Sequence, residues 1–484
     1  MRKTHHQTTM VQPGQFEPEN HYYPRVLNAQ LHPLVAGFLS LGNSRIAERY
    51  CHLHPEVSRE SVEEALSKQM KYMRWSGADL FCVTNDRGNR RVVVIETNSC
   101  PSGQKSMPMI RDMDEQNGYK LLLERAFVPA LKRRSLPEGG LAVLYDKNHM
   151  EASAYAATLA DLTNKPVHLV PFLADDENPP ARFTPEGVLE IRTEAGMWQP
   201  IRAALRYVTQ RPWTRIPPLT KTLIFNPVIG CLAGGRNKLL ASKAYDFYNG
   251  SMHATRLAIR TPETIWDVTR ESIPMWVQRM GGIAVVKNPY SNAGQGVWTI
   301  VNNRELQNFM DLEQRYDRFI VQSLIGNSGW SSRGRESLYH LGTVPDKKGR
   351  IFVADLRFMV GSGDQGFFPV AIYARRSPKP LIGVLEGSED SWDMLGTNLS
   401  YRDEEGQWKT QTERLLLMDN RDFNRLGIGL DDLIESYLQT VMATTAIDRM
   451  ADSLVSSKGK FKYRFFGTVN PDNRLADEIC RLHT

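Results

Sequence analysis

Cysteine is scarce in this sequence. Cys51, Cys82, Cys100, Cys231 and Cys480 are spread over 484 positions with no CxxC pair. That argues against a disulfide framework or a zinc ribbon and fits a reducing, cytoplasmic compartment. Long apolar runs are missing too, and without about 18 consecutive apolar residues nothing is expected to span a bilayer. The start, MRKTHHQTTMVQPGQFEPEN, is basic but lacks an apolar core, so it does not read as a secretory signal. A dominant charge is also absent. The net charge is +6, too small for this length to argue for nucleic acid or a membrane surface, and no RNA or DNA motif occurs. GxSxG and HExxH are absent, and Cys100 has no assignable His partner, so nucleophile and zincin chemistries find no support.

What is present is ordinary globular composition, 41% apolar and 24% charged, with no internal repeat. At roughly 150 residues per domain the chain holds about three domains, or one large catalytic unit with insertions. Residues 1–21 read as a disordered tail in which His5 and His6 are solvated. Residues 22–120 hold an amphipathic helix starting near Ser61, with Ser61 and Glu64 as a capping box and Val62, Leu66, Met70 and Met73 facing the core. The hairpin DLFCV–TNDRGNR–RVVVIE follows, apolar on both faces and so buried. Residues 121–225 alternate strand (LAVLYD), alanine-rich helix (150–162) and strand (PVHLVPF), a β-α-β pattern implying a small parallel sheet. Residues 226–484 contain a helix from Lys238, further strands, and a long helix from Leu430 to about Leu454 with one buried stripe.

The stretch AVVKNPYSNAGQGVWTI is the most informative. An apolar strand leads to Lys287. The small-residue loop Ser291-Asn292-Ala293-Gly294-Gln295-Gly296 follows, and the chain returns as a second strand. Small residues let backbone N–H groups approach phosphate oxygens, and a lysine supplies a point charge for the same oxygens. This is a hairpin loop rather than a strand-to-helix turn, so P-loop and Rossmann readings fail on context. The same segment is also compatible with an ordinary glycine-rich hairpin. Downstream, FIVQSLI is an apolar strand with Gln322 near its end, suited to reading an adenine edge through its backbone. NKLLASKAYDF, IAVVKNPYSNAGQGV and RFIVQSLI, in that order, resemble the nucleotide half of the ATP-grasp superfamily. The resemblance implies that Lys238, Lys287, Ser291, Asn292, Ala293, Gly294, Gly296 and Gln322 bind ATP.

Such a site also needs acidic ligands for Mg²⁺, and these lie early in the chain, in GADLFCVTNDRGNRRVVVIETNSCPSG. Residues two apart on a strand share a face, so Glu96 and Asn98 point one way and Thr97 the other. A turn centred between Arg87 and Gly88 sets Asp79 opposite Glu96. Two carboxylates about 5 Å apart on a buried sheet stay ionised only beside a cation. Mg²⁺ takes oxygen ligands, commonly one or two carboxylates plus substrate phosphates, and Asp79, Glu96 and Asn98 offer that set. Asp79 alone could equally be a strand-start cap.

The metal strand thus precedes the nucleotide strands. That order resembles the circularly permuted ATP-grasp proteins, including the glutathionylspermidine-synthetase-like group. ETNSCPSG matches their E-x-N segment, and LAVLYDKNHMEASAYAATLADLTNKPVHLV resembles their central β-α-β. The likeness covers most of residues 60–380. It implies an α+β, circularly permuted ATP-grasp fold, with two α+β subdomains clamping ATP and an inserted α/β pre-ATP-grasp-like domain. Residues 22–120 would be the metal-bearing part, 121–225 the substrate domain and 226–484 the nucleotide-binding part. It further implies a carboxylate–amine ligase with small-molecule substrates, in which Arg357 and Arg375 offset charge on the intermediate. Arg357 could instead pair with Asp355, and Arg376 could be simply exposed. His340, Arg333 and Arg335 fall in an expected loop; His340 reads as solvent-facing rather than as an acid or base, and Arg333 and Arg335 could bind a carboxylate or be simply solvated. A phosphotransferase on the same scaffold and a non-catalytic nucleotide-binding protein are the alternatives. A homo-oligomer is compatible with all three.

Overall fold

The computed structural model describes residues 7–111, 114–132, 135–174, 176–208, 215–291, 296–387, 390–402 and 408–480. Its architecture is α+β with three main sheets.

The first sheet is built on the expected hairpin. Trp75–Asn85 pairs antiparallel with Arg90–Ser99. In the turn, the Asn85 side chain accepts hydrogen bonds from the backbone N–H groups of Arg87 and Asn89 at 3.1 and 2.9 Å, and Gly88 takes the positive φ of 76°. The turn therefore centres on Arg87, and Thr84 faces Arg90. A bulge at Ile95 adds one residue, so Asp79 still faces Glu96. The expected pairing is present, reached by two compensating shifts.

The hairpin does not stand alone. Ala354–Gly363 pairs antiparallel with Trp75–Asn85, and Gly366–Arg376 pairs with Ala354–Gly363. Leu415–Leu416 extends that edge, while Leu338–His340 lies beside the hairpin end of Trp75–Asn85. One sheet thus draws on residues 75–99 and 338–416, so the expected boundary between an early metal-bearing part and a late nucleotide-binding part runs through a single structural unit.

The second sheet has four antiparallel strands in the order Thr264–Val268, Phe319–Ser323, Ala284–Lys287, Val297–Ile300. Val286, Val321, Ile300 and Phe309 form its own core under the helix Asn303–Asp311. The third sheet lies in the central region. Its parallel strands are Val167–Pro171, Gly140–Tyr145, Trp198–Tyr207 and Leu223–Phe225, with the alanine-rich helix His149–Thr163 as the crossover. Leu189–Arg192 and Ala181–Phe183 add antiparallel strands at one edge.

Three expectations are corrected. Residues 7–21 are not a tail. Thr9–Val11 forms the antiparallel edge of the central sheet against Val167–Pro171, and Gly14 donates its N–H to Asp161. His5 and His6 lie outside the described residues. The helix expected at Ser61 is Arg59–Ser67, capped by Ser58, whose hydroxyl accepts from the Ser61 N–H at 3.2 Å. Ser61 and Glu64 are therefore interior helical residues, and Met70 and Met73 reach the core from beyond the helix end. The helix Leu430–Ser453 is buried on every side rather than along one stripe. Its polar residues allow this because Ser436, Thr440, Thr444 and Thr445 each donate a hydroxyl to the carbonyl four residues earlier.

The same helix anchors the first sheet. The Asp448 carboxylate accepts from the backbone N–H groups of Lys71, Tyr72 and Met73 at 3.2, 2.7 and 2.8 Å, just before Trp75–Asn85 begins. Burial raises the Asp448 carboxyl against those three donors, which oppose the shift. Asp448→Ala leaves the donors without their acceptor and is expected to lower stability by about 3 kcal/mol or more, and Asp448→Asn by less. Urea melts of the two variants check the ranking.

Candidate functional site

The first two sheets face each other across a cavity lined by Asp79, Glu96 and Asn98 from the hairpin, Arg357 and Arg375 from the late strands, and Lys287 and Gln322 from the second sheet. A smaller cavity adjoins it behind Glu96 and Lys238, and a polar one adjoins it toward the central sheet. The hairpin, the second sheet and the late strands thus meet although they are far apart in sequence.

Lys238 is the first residue of the helix Lys238–Met252, whose cap is Asn237; the Asn237 side chain accepts from the Leu240 N–H. The Lys238 ammonium lies 3.3 Å from Glu96 and donates to the carbonyl and hydroxyl of Ser291 at 3.0 and 3.1 Å. It therefore ties the glycine loop to the carboxylate. Lys287 ends the strand Ala284–Lys287 and sits 3.4 Å from the Ile95 carbonyl. Burial pushes its ammonium down to about 8; nearby Glu96 opposes the shift and Lys238 adds to it. Gly296 closes the loop at φ 69°, its carbonyl accepting from the Asn288 N–H at 2.7 Å. Asn292, Ala293 and Gly294 lie outside the described residues. Gln322 donates to the Thr264 hydroxyl at 2.8 Å, and Ser323, Leu324 and Ile325 continue the cavity wall beyond it.

Asp79 differs from its expected surroundings. The cation beside it is a guanidinium: Arg357 donates to both carboxylate oxygens at 2.6 and 2.7 Å, and Arg375 lies 3.0 Å away. Burial alone would raise the Asp79 carboxyl, but the two arginines hold it below the usual carboxylate range. The alternative pair of Arg357 with Asp355 does not form, because Asp355 faces Arg375 across the strand pair and takes that guanidinium instead. Arg376 lies partly exposed over the Phe352 ring. Repulsion between Asp79 and Glu96 thus needs no metal to relieve it: arginines serve one carboxylate and Lys238 the other.

The donor set still suits a hard cation. Among the described residues no three His, Cys, Asp or Glu side chains converge on a metal position. Three of the four acceptor positions on Asp79 are used, whereas the Glu96 carboxylate and the Asn98 side-chain oxygen, the latter shared only with Arg236 at 3.4 Å, open onto the same cavity. Glu96 and Asn98 fit Mg²⁺ provided that a ligand such as a polyphosphate completes the oxygen shell.

Sequence reasoning missed several cavity residues. Arg236 donates to the Asn98 side-chain oxygen at 3.4 Å and to the Ser99 carbonyl at 3.2 Å. Its neighbours in AGGRNK were the available signal. Trp392, Leu395 and Thr397 also line the cavity, from a short helix (Ser391–Leu395) and the turn after it, for which no periodicity gave notice. His340 is not solvent-facing. It ends a strand, meets the Phe81 ring edge-on at 4.5 Å, and its Nδ1 is buried with no hydrogen-bond partner. Arg333 and Arg335 line a separate shallow groove near Glu263 and Trp276. Cys100 donates to the Arg206 carbonyl, and burial pushes its thiol up to about 11, which leaves it inert at neutral pH.

No family profile matches the chain, and no curated protein matches it. Solved structures do. A glutathione synthetase-like effector from Globodera pallida matches at 9% identity and a TM-score of 0.38, covering 72% of this chain and 86% of that one. A RimK domain ATP-grasp protein from Sphaerobacter thermophilus matches at 14% identity and a TM-score of 0.28, covering 51% and 92%. A D-alanine–D-alanine ligase from Helicobacter pylori matches at 11% identity and a TM-score of 0.22, covering 54% and 95%. At such scores the likeness carries no functional argument, which rests on the geometry above. No helix among the described residues is long and apolar enough to cross a membrane.

Burial holds His340 neutral, with its imidazolium pushed down to about 3. The unfolded chain, with an ordinary histidine near 6.5, binds more protons between pH 3 and 6.5. Stability contributed by this group is therefore lost as pH falls through 6.5, at up to about 1.4 kcal/mol per pH unit. His340→Phe is expected to flatten the stability–pH curve between pH 6.5 and 4, measured by urea melts across that range.

Proposed function

We propose that this chain is an ATP- and Mg²⁺-dependent carboxylate–amine ligase of circularly permuted ATP-grasp type. It would form an amide through an acyl phosphate and release ADP and phosphate. The observation that carries this reading is the meeting of Lys287, Glu96, Asn98 and the Asp79–Arg357–Arg375 cluster in one cavity between two antiparallel sheets. Two lysines, one hard-oxygen pair and two rigid guanidiniums are what phosphoryl transfer to a carboxylate asks of a protein, because the work is positioning and charge neutralisation.

Lys238 and Lys287 would bind phosphate oxygens, with the loop from Ser291 to Gly296 covering them. Backbone groups at the end of Phe319–Ser323 would read the edge of the base, and Phe81, Val285, Leu324 and Leu395 would enclose its faces. Glu96 and Asn98 would hold Mg²⁺. When bound, ATP and Mg²⁺ together supply the phosphoryl group that gives the substrate carboxylate a leaving group. Arg357 and Arg375 would stabilise charge on the carboxylate and on the tetrahedral intermediate formed by the amine. Their salt bridges to Asp79 and Asp355 fix both guanidiniums before substrate arrives, so little reorganisation accompanies the reaction. The early hairpin supplying the Mg²⁺ ligands to a sheet completed by residues 338–416 supports the permuted order.

The test is ADP release that depends on adding both an acid and an amine. Glu96→Gln is expected to lower kcat by roughly a hundredfold or more while the melting curve stays close to that of the parent. Full activity in this variant would contradict the assignment of Glu96 to the metal. A phosphorylated product with no free phosphate would point instead to a phosphotransferase.

A further inference from the structure

The third cavity, between the loop after the hairpin and the C-terminal ends of the central parallel strands, has a peculiar charge balance. Five cations line it, Lys105, Lys147, Arg236, Arg357 and Arg375, and among the described residues no Asp or Glu does. Arg357 and Arg375 are neutralised from beneath by Asp79 and Asp355. Lys105 lies 3.9 Å from Glu151, but that buried carboxylate is already taken by the Ser102 hydroxyl at 2.6 Å, the Gly103 N–H at 2.7 Å and the Tyr207 hydroxyl. Lys147 makes no ion pair among the described residues, and its neighbour Asp146 is engaged by Arg215 at 3.1 Å. Burial, with Arg236, Arg357 and Lys105 close by, pushes the Lys147 ammonium down to about 8 although Asp146 opposes the shift. A partly buried cation among other cations is unfavourable in the free protein, and an anionic ligand would relieve it.

The position of Lys147 is equally suggestive. It follows the strand Gly140–Tyr145, and Asn148 turns the chain at φ 52° into the helix His149–Thr163. The C-terminal ends of parallel strands are where open α/β sheets bind ligands. The cavity has two distinct ends. Arg236, Arg357 and Arg375 line both it and the cavity between the two antiparallel sheets, whereas Lys105 and Lys147 line it alone. Its other walls carry polar groups, among them Ser102, Ser106, Asn148 and Asn398, beside the rings of Tyr23, Tyr207 and Tyr373.

We propose that this cavity binds the acid substrate as a multiply charged anion, with the reacting carboxylate at the arginine end and a second anionic group, carboxylate or phosphate, held by Lys105 and Lys147. The inference rests on the ligase reading for the role of the arginine end, and it deepens that reading by naming the substrate class.

Calorimetry on the full chain at pH 7 without nucleotide tests it. The probes are glutarate, tricarballylate and 3-phosphoglycerate, each set against a monoanion that keeps its carbon chain but lacks the further charge: glutaric acid monoamide, butyrate and glycerate. At least one multiply charged probe should bind roughly tenfold or more tighter than its monoanionic match. Which one does so tells a second carboxylate from a phosphate. Lys147→Met should abolish that preference and Lys147→Arg should retain it, with ADP affinity as the control for folding. Removing a cation that makes no ion pair is not expected to lower the melting temperature. Equal binding of each pair, or a preference that survives in both Lys147→Met and Lys105→Met, would overturn the proposal. The outcomes also separate the two readings. Ligase activity on a monocarboxylic acid would overturn this inference and leave the ligase reading standing, whereas selective binding of dianions without any ADP release would do the reverse.

Discussion

A carboxylate on a buried strand stays ionised only where positive charge reaches it. For Asp79 that charge comes from Arg357, 278 residues further along the chain. This pairing governs the first sheet. Arg357 faces Asp79 across adjacent strands, Asp355 faces Arg375 on the next pair, and Arg375 reaches back to Asp79. A slip of one residue in either strand pair would turn one charge to the opposite face and leave its partner uncompensated. The cluster therefore ties register to chemistry. It places two guanidiniums on the cavity wall, and it leaves Glu96 beside Lys238 with no arginine partner among the described residues.

The three cavities follow from the way the sheets are assembled. The hairpin joins the late strands on one side and turns its E-x-N end toward the second sheet, where Lys287 closes the gap. The loop beyond Ser99 then crosses to the central sheet. Gly103, at φ 142°, makes the close crossing there, since a Cβ would fall 2.0 Å from the Tyr373 ring. The consequence is a run of three adjoining cavities, in which Glu96 borders the first two and Arg357 the last two.

Much of this was readable from local pattern. The hairpin, the Lys287 strand with its glycine loop, the β-α-β unit and the helix from Lys238 all announce themselves by periodicity, turn residues and caps, which are properties of neighbouring positions. The pairing of Asp79 with Glu96 was anticipated, although the turn and the Ile95 bulge reach it by a different route. What the sequence concealed depends on distant partners. Nothing in TMV at positions 9–11 says that it will edge the central sheet. Nothing around Asp448 says that three backbone donors will find it. His340 sits among loop-forming residues, yet Phe81 and the cavity wall enclose it. The cation that stabilises Asp79 was sought in a metal because the arginine lies so far away, and Lys147 shows its isolation only once the central strands and the hairpin loop are brought together.

The central claim is that one nucleotide is gripped from two sides, by the early hairpin and by the second sheet. Hydrogen–deuterium exchange with and without ATP and Mg²⁺ tests it most directly. The account predicts that nucleotide slows exchange together in peptides covering Arg90–Ser99 and Ala284–Lys287. Protection confined to one of these strands, or to neither, would contradict it.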